Sequence, residues 1–156
     1  MKNVIFDFNQ VLKKSSTEVG FIHISQLTDI SNVSRNKQAL LSDLFLNQQL
    51  IEWAKHHQSQ CHFYIWSASN PKTLQLIKEL FSPLFANVFS THETGLHKSD
   101  VTSYQVLTQK VGSQASECLL IDDQLYNTEA AKKAGWQAIH FISTSDCLRQ
   151  LDIILG

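Results

Sequence analysis

The sequence has no apolar run long enough to cross a bilayer, no excess of charge of either sign, and no paired cysteines. Each absence excludes a class of function. The N-terminal run Val4-Ile5-Phe6 stops at Asp7. A signal peptide or a membrane span needs a longer uninterrupted stretch, so the expected location is the cytoplasm. A formal net charge of -1 creates no long-range field to attract DNA, RNA or an anionic membrane. Neither nucleic acid nor membrane is therefore expected as a partner, and any ligand must be recognised locally. Cys61, Cys118 and Cys147 are odd in number, widely spaced and form no CxxC pair, so they read as buried reduced thiols. The histidines, from His23 to His140, show no HExxH spacing and read as solvated or core residues rather than metal ligands. Trp53, Trp66 and Trp136 read as core or rim packing. No repeat, charge run or low-complexity linker interrupts the chain. A length of 156 residues then fits one domain, 1–156, with a sizeable core.

What is present is an alternation. Five short apolar runs, Asn3 to Phe8, His62 to Trp66, Asn87 to Ser90, Cys118 to Ile121 and Ala138 to Ile142, are bounded by polar or turn residues. Buried strands of a parallel sheet read in this way. Between them lie apolar positions at helical spacing. The first set is Leu50, Ile51, Trp53 and Ala54, and the second, after Pro71, is Leu74, Ile77, Leu80 and Phe81. A third includes Val101, Tyr104 and Leu107 and closes at Gly112, a fourth runs from Thr128 to Gly135, and a terminal one includes Leu148 and Leu151. Strands alternating with helices specify an α/β fold with a central parallel five-stranded sheet and right-handed crossovers. The segment 13–46 departs from the rhythm. It is polar in its first half, and 37–46 is expected to form a short helix. It leaves the first strand and returns before the second, so it should form a small cap or flap insertion above the strand ends.

Ligands in such sheets bind outside the carboxyl ends of the strands, where the strand order reverses. The polar signals of this sequence fall there: Asp7 and Asn9 after the first run, Ser67 and Ala68 after the second, Lys98 after the third, and Asp122-Asp123 after the fourth. Three carboxylates at neighbouring strand ends repel one another strongly in a cleft of low effective dielectric. A hard divalent cation such as Mg²⁺ relieves that repulsion and also holds a substrate phosphate. Lys98 offers a point charge, Ser67 a hydroxyl, and the amides after it lead into a helix N-terminus that favours an anion. The set combines a nucleophile, a metal site and an oxyanion cradle.

These residues resemble the four motifs of the haloacid dehalogenase superfamily. The first looks like Val4-Ile5-Phe6-Asp7-Phe8-Asn9-Gln10-Val11-Leu12, the second like Tyr64-Ile65-Trp66-Ser67, and the third like Gly95-Leu96-His97-Lys98. The fourth resembles Leu120-Ile121-Asp122-Asp123-Gln124-Leu125-Tyr126-Asn127, followed by Ala130 to Gly135. The resemblance implies a Rossmann-like three-layer sandwich with helices on both faces of the sheet. It also implies a Mg²⁺-dependent phosphoric monoester hydrolase that forms an aspartyl-phosphate on Asp7. The metal would be held by the Asp7 carboxylate, the Asn9 backbone carbonyl, Asp122 and Asp123. Ser67, Ala68 and Lys98 would bind the phosphoryl oxygens, and Asn127 would orient the metal-binding loop.

Two features depart from the phosphatase pattern. The position two residues after the nucleophile, where these phosphatases carry the Asp that protonates the leaving group, is Asn9. Loss of a general acid–base costs about 10²–10⁴-fold in rate. A catalytically impaired pseudophosphatase that binds a phosphorylated ligand or a protein partner is therefore the alternative. The retained acidic pair argues for metal and against a dehalogenase, and its place after the fourth strand argues against a flavodoxin-like receiver. The second feature is the short insertion. An open site suits a bulkier phosphorylated substrate as well as a phosphorylated small molecule, or closure by a second subunit in a homodimer.

Overall fold

A computed structural model describes residues Met1–Gly156. Its centre is a five-stranded parallel sheet in the order β6-β5-β1-β7-β8. In chain order the elements begin with β1 (Lys2–Phe6), β2 (Lys13–Lys14), β3 (Phe21–His23), α1 (Arg35–Gln38), β4 (Phe45–Asn47) and α2 (Gln48–His56). There follow β5 (Cys61–Ser67), α3 (Pro71–Leu80), β6 (Phe85–Ser90), α4 (Thr91–Thr94) and α5 (Val101–Lys110). The chain ends with β7 (Cys118–Asp122), α6 (Leu125–Lys133), β8 (Gln137–His140) and α7 (Thr144–Leu155).

Alternation along β1 divides the core. Val4 and Phe6 enter one apolar cluster with Leu50 and Ile51 of α2, Leu74 and Ile77 of α3, and Cys147 and Leu151 of α7. Ile5 enters the other, with Tyr104 and Leu107 of α5, Ala130 and Ala131 of α6, and Trp66. Successive strand residues face opposite sides, so a continuous apolar strand is covered by helices on both faces. That is a three-layer sandwich. Several helices start at side-chain caps: Asn47 accepts a hydrogen bond from the Leu50 amide, Asn70 from Lys72 with Pro71 in the first turn, and Ser143 from Asp146.

The chain runs from β1 outward to β5 and β6, then crosses back to β7 on the other side of β1. The order therefore reverses between β1 and β7, which makes their carboxyl ends the expected ligand crevice. Trp66, Tyr104 and Trp136 pack edge-on or tilted beneath it, with the Trp66 and Tyr104 ring centres 5.0 Å apart.

Two expectations need correction. The final strand stops at His140, and Ile142 is exposed. The β7–β8 ladder pairs Asp122 with His140 as its last register; the Phe141 amide still donates to the Asp122 carbonyl at 2.8 Å, and β7 ends there, leaving Ile142 outside the ladder. The segment expected to be helical over 37–46 is helical only at its start: α1 runs on into a tight turn at Ala39–Leu41, and the chain then extends as β4. β4 is the middle strand of a separate antiparallel sheet, ordered β2-β4-β3. Ile24, Leu41, Leu44 and Leu46 of this insertion are buried in the same cluster as Val4 and Phe6. Its apolar side chains thus extend the main core.

Candidate active site

Asp7 follows β1 directly, and its amide donates to the Ile121 carbonyl of β7 at 2.8 Å. This bond continues the β1–β7 ladder one step and fixes Asp7 beside Asp122. Asp7 is 8% exposed and Asp122 is 0% exposed. Between them stands Lys98, whose Nζ lies 2.8 Å from Asp7 Oδ1 and 2.8 Å from Asp122 Oδ2. Asp122 also accepts from the Gln124 amide at 2.8 Å and from Asn127 Nδ2 at 3.2 Å. A buried carboxylate is tolerable only when paired and hydrogen-bonded, and Asp122 meets that condition on both oxygens.

Asp7 has less support. Burial and the Asp122 charge push its carboxyl up, Lys98 pulls it down, and the balance leaves it at about 7. Burial alone would lower the Lys98 ammonium, but the Asp7 and Asp122 charges outweigh it and hold Lys98 above its ordinary range. One ammonium therefore pairs with Asp7 and Asp122, and Asp123 adds a third carboxyl group beside them. Ligand oxygens of Asp7, Asp122 and Asp123 can all lie within 4.8 Å of one another. Surplus negative charge on clustered hard oxygen donors fits Mg²⁺.

The Lys98 loop is held from below. Gly95, at φ 69, ends α4 in the left-handed conformation that favours glycine. The Trp66 indole donates to the Leu96 carbonyl at 3.3 Å. The Tyr104 hydroxyl lies 2.7 Å from the Lys98 carbonyl and 2.9 Å from the Asn127 carbonyl. One buried tyrosine thus ties the Lys98 loop to the first turn of α6. Burial pushes its hydroxyl far above the ordinary tyrosine range, so it stays a donor. Sequence reasoning placed Tyr104 on an apolar helix face; its tie to the site depends on three separated segments meeting and leaves no local signal. The same is true of His140, whose Nε2 donates to the Asp123 carbonyl at 3.0 Å.

Ser67, Ser69 and Asn9 form a second group. Ser67 is buried at the end of β5. Its hydroxyl accepts from the Ser69 amide at 3.0 Å and donates to Ser69 Oγ at 2.9 Å. Asn9 Nδ2 donates to the same Ser69 oxygen at 2.8 Å. Ser69, absent from the sequence-derived set, therefore connects the two residues. Ala68 lies exposed between the two serines. Gln10, next to Asn9, has φ 68, a conformation costly for a residue with a Cβ.

A cleft of about 580 Å³ opens on the insertion side of this group, lined by Phe8, Asn9, Lys13, Ser15, Asp43 and Ser69 among others. The acidic cluster lies outside its lining. The sequence-derived residues thus fall into two sets: Asp7, Lys98, Asp122, Asp123 and Asn127 around the carboxylates, and Asn9 and Ser67, joined through Ser69 at the edge of the cleft.

Comparison with known proteins identifies the family. Residues 40–135 match the family described as haloacid dehalogenase-like hydrolase, and the chain belongs to that family. Enolase-phosphatase E1 of Yersinia pestis is 29% identical over 100 residues, which is 61% of this chain and 42% of that protein. Sesquiterpene phosphatase astK of Aspergillus oryzae is 32% identical over 71 residues, 44% of this chain and 36% of that one. The chain spans about two fifths of the length of these curated relatives. Among solved structures, a HAD family enzyme from Bacteroides thetaiotaomicron in complex with magnesium and inorganic phosphate superposes with a TM-score of 0.66 at 16% identity. That match covers 96% of this chain and 100% of that one. A hydrolase from Streptococcus pneumoniae has a TM-score of 0.70 at 18% identity, covering 96% and 97%. The fold is the Rossmann-like α/β fold of this family. No helix is long and apolar enough to cross a membrane.

Proposed function

We propose that the protein is a Mg²⁺-dependent phosphohydrolase that works through an aspartyl-phosphate on Asp7. The observation that carries this is the placement of Asp7 at the switch point, with Lys98 2.8 Å away and Asp122 and Asp123 close enough to share one ion. Asp7, Asp122, Asp123 and the Asn9 backbone carbonyl would hold Mg²⁺. The ion would supply charge neutralisation for the phosphate and leave the Asp7 carboxylate ionised. Asp7 then attacks phosphorus from a fixed position, since β1 and β7 clamp its backbone. Lys98 balances the phosphoryl charge, and the Ser67 hydroxyl and the amides that follow β5 bind the remaining oxygens. Asn127 and Tyr104 keep Asp122 and Lys98 in register. The phosphatase names of the curated relatives and the magnesium and phosphate bound by the Bacteroides enzyme support this reading.

Asn9 favours a second reading. Its amide cannot pass a proton to a leaving group, and its Nδ2 is already committed to Ser69. A protein impaired in this way would bind a phosphorylated ligand or partner without turning it over. Asn9→Asp separates the two. If only the acid is missing, this variant gains Mg²⁺-dependent hydrolysis of an alkyl phosphate such as ethyl phosphate by about 10²–10⁴-fold. No gain contradicts the impaired-enzyme reading. Turnover retained by Asp7→Ala contradicts the phosphatase reading. Closure of the cleft by a second copy of the chain, and a bulkier phosphorylated substrate, remain part of this proposal; analytical ultracentrifugation tests the first.

A further inference from the structure

Resting on the aspartyl-phosphate reading, we infer that the substrates of this site carry phosphate on an acidic oxygen, as acyl phosphates, phosphoanhydrides and aryl phosphates do, and that alkyl phosphates are poor substrates. The groups around the reacting centre lead to this class. Asn9 is an amide, and Ser67 and Ser69 are hydroxyls bonded to one another. Lys98 is an ammonium engaged by two carboxylates, 2.8 Å from each. None of these gives up a proton near neutral pH. An alkoxide leaving group needs such a proton; a carboxylate, phosphate or phenolate does not.

A cation takes the place of the acid. Lys13 lines the cleft together with Asn9. Its backbone is bridged to Asn9, and its carbonyl accepts from the Gln10 amide at 2.8 Å. The left-handed turn at Gln10 thus folds Lys13 back against Asn9 in the cleft wall, where its Nζ rests 3.1 Å from Ser15 Oγ. The step then balances without acid. An Asp7 oxygen bonds to phosphorus, the bond from phosphorus to the leaving oxygen breaks, and the electron pair departs with that oxygen as an anion beside Lys13. Water afterwards attacks the phosphorus of the aspartyl-phosphate, releasing inorganic phosphate, restoring the Asp7 carboxylate and giving its proton to solvent. Asp43, exposed on the insertion wall of the same cleft, is the one carboxyl group whose role must be separated from this scheme.

The test is a leaving-group series run with Mg²⁺ on the full chain: acetyl phosphate, nitrophenyl phosphate, phenyl phosphate and ethyl phosphate. The expected kcat/KM falls steeply along it, by at least about 10²-fold from nitrophenyl to ethyl phosphate, the size of a missing general acid. Asn9→Asp should raise ethyl phosphate by about 10²-fold or more while moving acetyl phosphate by less than about tenfold. Lys13→Met should lower acetyl phosphate turnover by about tenfold, the loss of one stabilising charge. Ethyl phosphate hydrolysed as well as nitrophenyl phosphate by the unaltered protein overturns the inference, as does loss of an ethyl phosphate activity in Asp43→Asn. Either result leaves the Asp7 nucleophile standing. Turnover that survives Asp7→Ala, or no turnover of any member of the series, overturns the phosphatase reading and this inference with it.

Discussion

The strand-end site and the insertion between Lys13 and Asn47 are built on opposite principles. At the strand ends the backbone of Asp7, Ser67 and Asp122 is set by the parallel sheet, and charged groups are buried and answered one by one: Lys98 against Asp7 and Asp122, Asn127 against Asp122. In the insertion the strands are two or three residues long, and the surface is largely exposed, with Val19 and Glu18 at a turn. Only a few side chains, among them Ile24, Leu41 and Leu46, anchor it to the core. The comparison teaches where chemistry and selectivity separate. The rigid sheet holds the groups that need fixed geometry, and the lightly anchored insertion supplies Lys13, Ser15 and Asp43 to the cleft that meets the rest of the substrate.

The largest expected effect lies on the sheet side. Asp7→Ala should lower nitrophenyl phosphate turnover by at least about 10³-fold while the thermal transition is retained. A comparable activity in the variant would move the nucleophile elsewhere. Next in size is thiol chemistry beneath α7. Burial pushes the Cys147 thiol up to about 12 from 9.0, so native thiolate is on the order of 10³-fold scarcer than for an ordinary cysteine. Iodoacetamide at mildly alkaline pH should leave Cys147 unmodified until the protein unfolds, as read by peptide mass. The sign for stability follows. The raised native value favours the folded state below the unfolded thiol pKa of 9.0, and that contribution is lost as pH rises from there toward about 12.

Packing sharpens the comparison directly. Phe6→Ala, under the sheet, should cost about 3–5 kcal/mol, and Ile24→Ala, in the insertion, about 2–5 kcal/mol. Both residues are fully buried in one cluster. Urea unfolding of Ile24→Ala should remain a single transition seen alike by far-ultraviolet circular dichroism and by fluorescence of the core tryptophans. An early dichroism change without a fluorescence change would make the insertion an independent flap. Tyr104→Phe removes the hydroxyl that joins the Lys98 and Asn127 carbonyls. It should cost about 1 kcal/mol and lower kcat more than it raises KM. The smallest effect is expected of Gln10→Gly, which releases the positive φ but adds unfolded-chain entropy; a gain within about 1 kcal/mol should follow.

The sheet was legible because five apolar runs stand between helical segments and the central three, β1, β5 and β7, are buried almost throughout, and the candidate site because three acidic residues and a lysine at strand ends have few uses other than binding charge. The insertion was not. β2 and β4 pair through only two residues, Lys13 with Leu46 and Lys14 with Phe45, too few for any period to register. Leu40, Leu41 and Leu44 fit helical spacing equally well, so the expectation of a helix across 37–46 held for its first turns and failed where Phe45 and Leu46 extend. Ser69 and Tyr104 were invisible for another reason. A serine in a loop and a tyrosine on an apolar face are ordinary in sequence, and only the meeting of Asn9 with Ser69, or of Lys98 with Asn127, gives them a role.

Whether phosphate passes through Asp7 is measured most directly by acid-quenching the protein during turnover of nitrophenyl phosphate with Mg²⁺ and mapping the peptide that spans Asn3 to Lys13. A phosphoryl adduct on Asp7 is expected, absent without Mg²⁺ and absent from Asp7→Ala. Steady turnover with no adduct on that peptide, undiminished in Asp7→Ala, would contradict it.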